Sequence, residues 1–239
     1  MNIGVLIFSR YDSTRLPGKA LLKINGQELL GRVIDRSKKL TGVEGVVVAT
    51  SDRKTDDVIA DFAKSQGVEV FRGNVNDVAK RAIDACNYYG WDAFVRICGD
   101  RPFYDVSIVR SSIENMSYRR CDLVTTSGEY MLPPGLTTEV VLCSALEKYY
   151  EFFQASHKEH LTSFLYERAG SFDIRYLDYP NICKAVYPTS LVVDTDKDLH
   201  RAEWVAKKLE LSNPIPEQSA RTVLELAKLW DKNHFLNVN

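Results

Sequence analysis

The sequence predicts an α/β fold: a doubly wound, mostly parallel sheet carrying an α+β excursion at about residues 128–190. Short runs rich in Val and Ile recur through the first half, as in strands buried on both faces. Amphipathic segments of ten or more residues separate them, long enough for the helical crossovers that parallel strands require. Hydrophobic residues are 45% of the 239 and charged residues 26%, which excludes disordered, collagenous and coiled-coil chains. Residues 1–239 read as a single domain.

Residues 2–8 (NIGVLIF) are the first strand, and 28–40 repeat apolar residues at helical spacing. A strand at 45–50 and a helix at 56–66, opened by Asp56 and Asp57, come next. A strand at 68–71, a helix at 76–89 and a strand at 93–98 complete the half. Crossovers between such strands are right-handed, which places helices on both faces of the sheet. The second half is less regular. A helix at 106–118 leads to a strand at 122–126, a Pro133-Pro134-Gly135 break and a strand at 138–143. Residues 145–169 read as helical and aromatic, 172–178 as a strand, 190–193 as a strand and 196–209 as a helix N-capped by Asp196. Beyond Pro214 and Pro216, residues 219–231 form a last amphipathic helix.

Charge and cysteine usage narrow the class. Thirty-one basic against thirty-two acidic side chains give a net charge of −1, without the basic excess of a nucleic-acid binder. The five cysteines (Cys86, Cys98, Cys121, Cys143, Cys183) form no CxxC pair and read as free thiols in a reducing cytoplasm. The first apolar run lacks a basic n-region and is too short for a signal peptide, and no segment approaches 18 apolar residues. The expectation is a cytoplasmic protein without membrane insertion.

The clearest chemical signal follows the first strand: Ser9-Arg10-Tyr11-Asp12-Ser13-Thr14-Arg15-Leu16-Pro17-Gly18-Lys19. Ligands of open α/β sheets bind beyond the carboxyl ends of the strands, where this loop emerges. Three cations in residues 10–19, two hydroxyls and a Pro-Gly turn suit a polyphosphate. It is neither a Walker loop nor a GxGxxG fingerprint. The alternative is a solvated basic loop. In Arg96-Ile97-Cys98-Gly99-Asp100-Arg101-Pro102, a carboxylate directly after a strand is placed to hold a hard cation such as magnesium together with phosphate oxygens. The alternative is a turn Asp that caps the next helix. Asp194, at the end of 190–193, is the second ligand candidate, and the two carboxylates are expected to meet over one ion.

Two features carry less. His157 and His160 read as a surface or packed pair rather than metal ligands. Tyr149, Tyr150, Phe152 and Phe153 cannot all point inward on one helix, which suggests a homodimer contact, with the excursion's own core as the alternative.

At these residues the chain resembles the acylneuraminate cytidylyltransferase family, in particular its spore-coat-polysaccharide-type branch. The matching stretches are Arg10-x-x-Ser-Thr-Arg-Leu-Pro-Gly-Lys19, Asp56 onward through Val70-Phe71-Arg72-Gly73, Arg96-x-x-Gly-Asp-x-Pro102, and Val193-Asp194-Thr195 with Asp198-Leu199. Gly135-Leu136, Glu139-Val140 and Lys158-Glu159-His160-Leu161-Thr162 also match. The resemblance implies a Rossmann-like nucleotidyltransferase joining CTP to a 2-keto sugar acid, giving a CMP-sugar and pyrophosphate for surface polysaccharide or glycan synthesis. It implies that Arg10, Ser13, Arg15 and Lys19 contact the triphosphate, that Phe8 and Ser9 lie against the base, and that Arg96 belongs to the nucleotide site. Arg10, Lys19 and Asp100 would be catalytic, Asp100 and Asp194 would hold Mg2+, and Arg72 and Glu139 would face the sugar. The alternatives are a relative using another nucleotide and a sugar phosphate, or a non-catalytic nucleotide-binding subunit. Four positions depart from the family pattern: Tyr11, Asp12 (an acid expected beside the phosphates), Arg101 and Thr137.

Overall fold

The computed structural model describes residues 1–129, 131–183, 189–211 and 219–235. Nine strands are described: β1 Ile3–Phe8, β2 Lys23–Ile24, β3 Gln27–Glu28, β4 Val46–Ser51, β5 Glu69–Gly73, β6 Ala93–Cys98, β7 Leu123–Thr125, β8 Glu139–Leu142 and β9 Ile174–Tyr176. The α-helices are α1 Leu29–Ser37, α2 Asp57–Ser65, α3 Val78–Tyr89, α4 Val106–Tyr118, α5 Cys143–Tyr149, α6 Ala155–Glu159, α7 Ser163–Glu167, α8 Pro180–Cys183, α9 Asp196–Glu210 and α10 Ala220–Phe235.

Seven strands form one sheet in the order β5-β4-β1-β6-β8-β7-β9. β5, β4, β1 and β6 are parallel, while β8 runs antiparallel to both its neighbours. The chain moves outward from β1 to β4 and β5, then returns through α3 to place β6 on the other side of β1. That reversal opens a crevice at the carboxyl ends of β1 and β6, where Phe8 pairs with Cys98.

Alternation along the strands builds two cores. Ile3, Val5, Ile7, Val48, Val95 and Val140 face α1, α2 and α4. Leu6, Val47, Ala49, Phe94, Leu123 and Val141 face α3 and α5–α7. A third cluster joins α9 and α10 to Leu16, Ile24, Phe103, Leu136 and Val193, and so fastens the carboxyl-terminal helices beside the crevice. The excursion's β8 and β9 complete the main sheet instead of forming a layer of their own.

Several expectations are corrected. Residues 145–169 are not one helix: a 3-10 turn at Tyr150–Phe152 and extended backbone at Phe153 divide them into short helices. The aromatic residues thereby reach inward. Tyr149 packs on Phe164 and Phe172, Tyr150 on Phe153, and Phe152 is the exposed one of the four. The excursion's own core thus takes up Tyr149, Tyr150 and Phe153. Residues 190–193 are extended but join no ladder, because Leu191 donates to Pro134 and Val193 to Asp100 on separate loops. The N-cap of α9 is Thr195, not Asp196: its hydroxyl accepts from Asp198 N, and the Asp198 carboxylate accepts from Thr195 N in return. The β2–β3 hairpin was not expected, although Asn25-Gly26 at φ 47° and 83° is a hairpin turn signal. Pro214 and Pro216 lie outside the described residues.

Candidate functional site

Loop 9–19 has two sides. Its outer side is anchored: the Tyr11 N–H donates to Asp56 Oδ1 at 2.6 Å, and Arg53 grips both oxygens of Asp12 at 2.6 Å. Asp56 is fully buried and also accepts from Ser51 Oγ and from Arg53. Asp12 is therefore clamped away from the cleft, not set beside the phosphate-binding groups as expected. The Tyr11 carbonyl accepts the N–H groups of Ser13 (3.0 Å) and Gly18 (2.8 Å), which folds the loop back on itself. Gly18 adopts φ 71° at that turn and presents Lys19 inward.

The inner side of the loop lines a cleft of about 400 Å³. Phe8, Ser9, Arg10, Ser13, Arg15 and Lys19 are all there, as are Arg96, Asp100 and Asp194. The β1 and β6 loops can approach so closely because Gly99 has no side chain: a Cβ there would lie 2.9 Å from Ser9.

Lys19 ties the site together. Its ammonium donates to Asp100 Oδ2 (2.7 Å), Asp194 Oδ1 (2.7 Å) and the Val193 carbonyl (2.9 Å). Burial opposes its charge, but the two carboxylates outweigh that and raise its pKa above the usual lysine value. Arg15 holds the other Asp194 oxygen at 2.8 Å. Asp194 reaches this place without a strand, because Val193 N donates to the Asp100 carbonyl at 3.0 Å. The helix-capping alternative for Asp100 falls away, since Asp105 caps α4. Arg10 lines the cleft and makes no hydrogen bond or ion pair among the described residues, so its guanidinium is available to a ligand.

The donor set fits a hard cation. Asp100 Oδ1 is buried with no hydrogen-bond partner, an acceptor left open beside a second carboxylate. Among the described residues no three His, Cys, Asp or Glu side chains gather as a metal cluster. An ion held by Asp100 and Asp194 would take its remaining ligands from phosphate and water, which is the habit of magnesium.

The two residues expected on the sugar side are placed differently. Arg72 is not among the cleft residues: it donates to the Ser51 and Arg53 carbonyls (2.8 and 2.7 Å) and to Asp57 Oδ1 (2.6 Å), bracing the β4–α2 connection. Glu139 is buried opposite Arg96 in the β6–β8 register. It accepts from Arg96 Nη1 at 2.6 Å and from the Tyr166 hydroxyl at 2.7 Å. Burial disfavours its charge, yet Arg96 and the Tyr166 hydroxyl more than offset this and hold its pKa below the usual value. Glu139 thus fixes Arg96, which lines the cleft. Two of the four departures from the family pattern explain each other: Arg101 Nη1 donates to the Thr137 carbonyl (2.8 Å) and hydroxyl (2.9 Å).

The cleft also contains Val75, Val78, Arg81, Cys98, Glu159 and His160. Val78 and Arg81 stand three apart on one face of α3, a spacing visible in the sequence though their destination was not. His157 points the other way, buried and bonded to the Gln154 N–H and to Glu167. Among the described residues no helix is long and apolar enough to cross a membrane.

Comparison with known proteins gives the family and the fold. A family model described as cytidylyltransferase matches residues 4–213. The spore coat polysaccharide biosynthesis protein SpsF of Bacillus subtilis is 26% identical over 94% of this chain and 93% of its own length. A 3-deoxy-manno-octulosonate cytidylyltransferase of Aeromonas salmonicida is 33% identical over 53% of this chain and 51% of its own. The structure of a cytidylyltransferase from Leptospira borgpetersenii superposes with a TM-score of 0.85 at 30% identity, covering 98% of this chain and 95% of that one.

Proposed function

This chain belongs to the cytidylyltransferase family, and from that premise we propose that it transfers the cytidylyl group of CTP to a 2-keto sugar acid. A hydroxyl oxygen of the acceptor forms a bond to the α-phosphorus, and the bond from that phosphorus to the bridging oxygen of the β-phosphate breaks. The products are a CMP-sugar and pyrophosphate, with one proton released from the hydroxyl. The observation that carries the reading is the meeting of Lys19, Asp100 and Asp194 beneath a loop of inward hydroxyls and cations.

Each residue has a separable task. Ser13, the loop N–H groups and Arg10 bind the triphosphate and orient it for in-line displacement, where fixed positioning supplies much of the rate. Lys19 and Arg15 answer the charge that grows on the departing pyrophosphate. Arg96, steadied by Glu139, presents donors to an anionic group in the cleft. Asp100 and Asp194 would hold magnesium, which when bound acts as a Lewis acid and template across the phosphates. The acceptor's acid group is supported by the 3-deoxy-manno-octulosonate acceptor in the name of the Aeromonas relative.

The test is pyrophosphate release over four nucleoside triphosphates crossed with a set of 2-keto sugar acids and sugar phosphates. Release with CTP and a keto acid is expected. Turnover with a sugar phosphate in place of the keto acid, or with another nucleotide in place of CTP, would replace this reading.

A further inference from the structure

We infer that Asp77 is a positioning residue for the acceptor: through Tyr150 and Lys158 it holds α6, and with it Glu159 and His160, at a fixed place beside the amino end of α3. The inference rests on the transfer reading above and adds the group that sets one wall of the cleft.

Asp77 N-caps α3, and its Oδ1 accepts from the Lys80 N–H at 2.8 Å. A cap needs only one oxygen. The other, Oδ2, serves a different element: it accepts from the Tyr150 hydroxyl at 2.5 Å and lies 3.7 Å from Lys158 Nζ. The Lys158 ammonium also stands over the Tyr150 ring, 5.2 Å from its centre, so the three side chains close on one another. Tyr150 remains a donor at neutral pH, because burial and the accepting carboxylate push its pKa up to about 12. Its ring packs on Phe153 and so joins the excursion's core. One carboxylate thus caps a helix of the nucleotide half and grips the excursion.

Glu159 ends α6 and His160 follows it. Both line the cleft, and neither side chain has a hydrogen bond or ion pair among the described residues. Their placement is therefore set by the backbone that carries them. α6 has five residues, too few to hold a helical shape unaided. His157 fastens its buried side, and Lys158 with Tyr150 ties it to α3, which brings Val78 and Arg81 to the same cleft. The phosphate-facing groups do not depend on this tether. Lys19, Asp100 and Asp194 hold one another, and loop 9–19 is moored by Asp56 and Arg53. Glu159 and His160 are left for the second reactant, and a carboxylate beside an imidazole suits the hydroxyls of a sugar. A transfer between two bound reactants slows when either is held out of place.

The experiment compares wild type, Tyr150→Phe, Asp77→Asn and Lys158→Met by amide hydrogen exchange, CTP binding and pyrophosphate release. Release is measured with CTP and a keto acid that the wild type turns over, 3-deoxy-manno-octulosonate being tried first. Tyr150→Phe removes one hydroxyl and Asp77→Asn keeps an oxygen for the cap, so both are expected to fold. In each, the Lys158 and His160 amides, which donate to the Gln154 and Ser156 carbonyls, should exchange roughly tenfold faster. The KM for the keto acid should rise roughly 5- to 20-fold, with CTP affinity changed less than about twofold. Lys158→Met should raise it only about twofold, because that ion pair is long and partly exposed. Joining Tyr150→Phe to Asp77→Asn should add little to Asp77→Asn alone, since both cut one bond. Unchanged exchange at these amides, an unchanged keto-acid KM, or a loss of CTP affinity equal to the loss for the keto acid overturns the role of Asp77. A wild type that turns over no keto acid with CTP fails the transfer reading alone, and the exchange rates then decide the tether by themselves.

Discussion

Lys19 Nζ lies 2.7 Å from Asp100 Oδ2, so the loop after β1 is held directly to the loop after β6. The same ammonium spends its other two protons on Asp194 and the Val193 carbonyl. The three residues therefore form one electrostatic unit, with the lysine standing between two carboxylates. A triphosphate bound in the cleft as proposed would compete for that lysine. As it is drawn away, the carboxylates are left for a cation, so nucleotide and metal should favour each other's binding.

Lys19→Ala should lower pyrophosphate release sharply. An opposite charge at ~4 Å is worth about 4 kcal/mol at an effective dielectric of 20. Discounted for water in the cleft, a loss of ~2–3 kcal/mol corresponds to a turnover reduction of roughly 30- to 150-fold. Steady-state pyrophosphate release by the folded variant measures it, and unchanged turnover would remove Lys19 from the phosphate site.

Asp56 lies outside the cleft, yet it moors the outer side of loop 9–19 through the Tyr11 N–H and Arg53. Asp56→Ala leaves buried donors unpaired and should destabilise the protein by about 2–3 kcal/mol. With the loop released, the KM for nucleotide should rise roughly tenfold, since small misplacements are costly in a site that works by positioning. Urea unfolding and a nucleotide titration check the two halves. A destabilised variant with an unchanged KM would show that Asp56 serves the fold alone.

What the sequence made legible followed from periodicity and local spacing. β1, β4, β5 and β6 alternate with helices so regularly that their crevice, and the loop filling it, could be placed from residues alone. Segment 145–169 misled because its aromatic density satisfies a helical pattern, whereas the chain breaks at Phe153 to turn Tyr149 and Phe153 into the core. Residues 190–193 have strand composition, but strand pairing depends on neighbours that no local pattern specifies. Arg72 stands in a matching motif, yet its guanidinium is consumed by Ser51, Arg53 and Asp57. Arg81 illustrates the converse: a basic residue within a helix reads as a solvated face until tertiary packing buries it.

Glu139 gives the acid limb of stability a testable sign. Arg96 and the Tyr166 hydroxyl, with Arg101 nearby, hold its pKa below 4.5 in the folded protein despite the opposing effect of burial. The stabilisation is therefore present above the unfolded value and lost as pH falls through the lower folded one. Glu139→Gln leaves the half-buried Arg96 without its counter-charge and should cost about 2–3 kcal/mol near neutrality, less than a fully buried pair would. The gap between wild type and variant should narrow below about pH 4.5. Urea melts across the acid range measure the gap, and a constant difference would mean that Glu139 acts through shape and not through charge.

The last prediction concerns Asp100 and Asp194, which the fold brings to one ammonium although 94 positions separate them (194 minus 100). Asp100 keeps a buried oxygen without a partner, while both Asp194 oxygens are engaged, one by Lys19 and one by Arg15. If they hold one magnesium between them, Asp100→Asn and Asp194→Asn should each raise the magnesium concentration needed for half-maximal activity. Asp100→Asn should raise it more, because Arg15 already competes for Asp194. The double variant should lose far less than the product of the single losses, since residues acting as a unit are not additive. A magnesium titration of the three variants at fixed CTP, paired with manganese binding in the absence of acceptor, decides the matter. Multiplicative losses, or normal metal dependence in Asp194→Asn, would leave Asp194 as the counter-charge of Lys19 and Arg15 and rest the metal site on Asp100 alone.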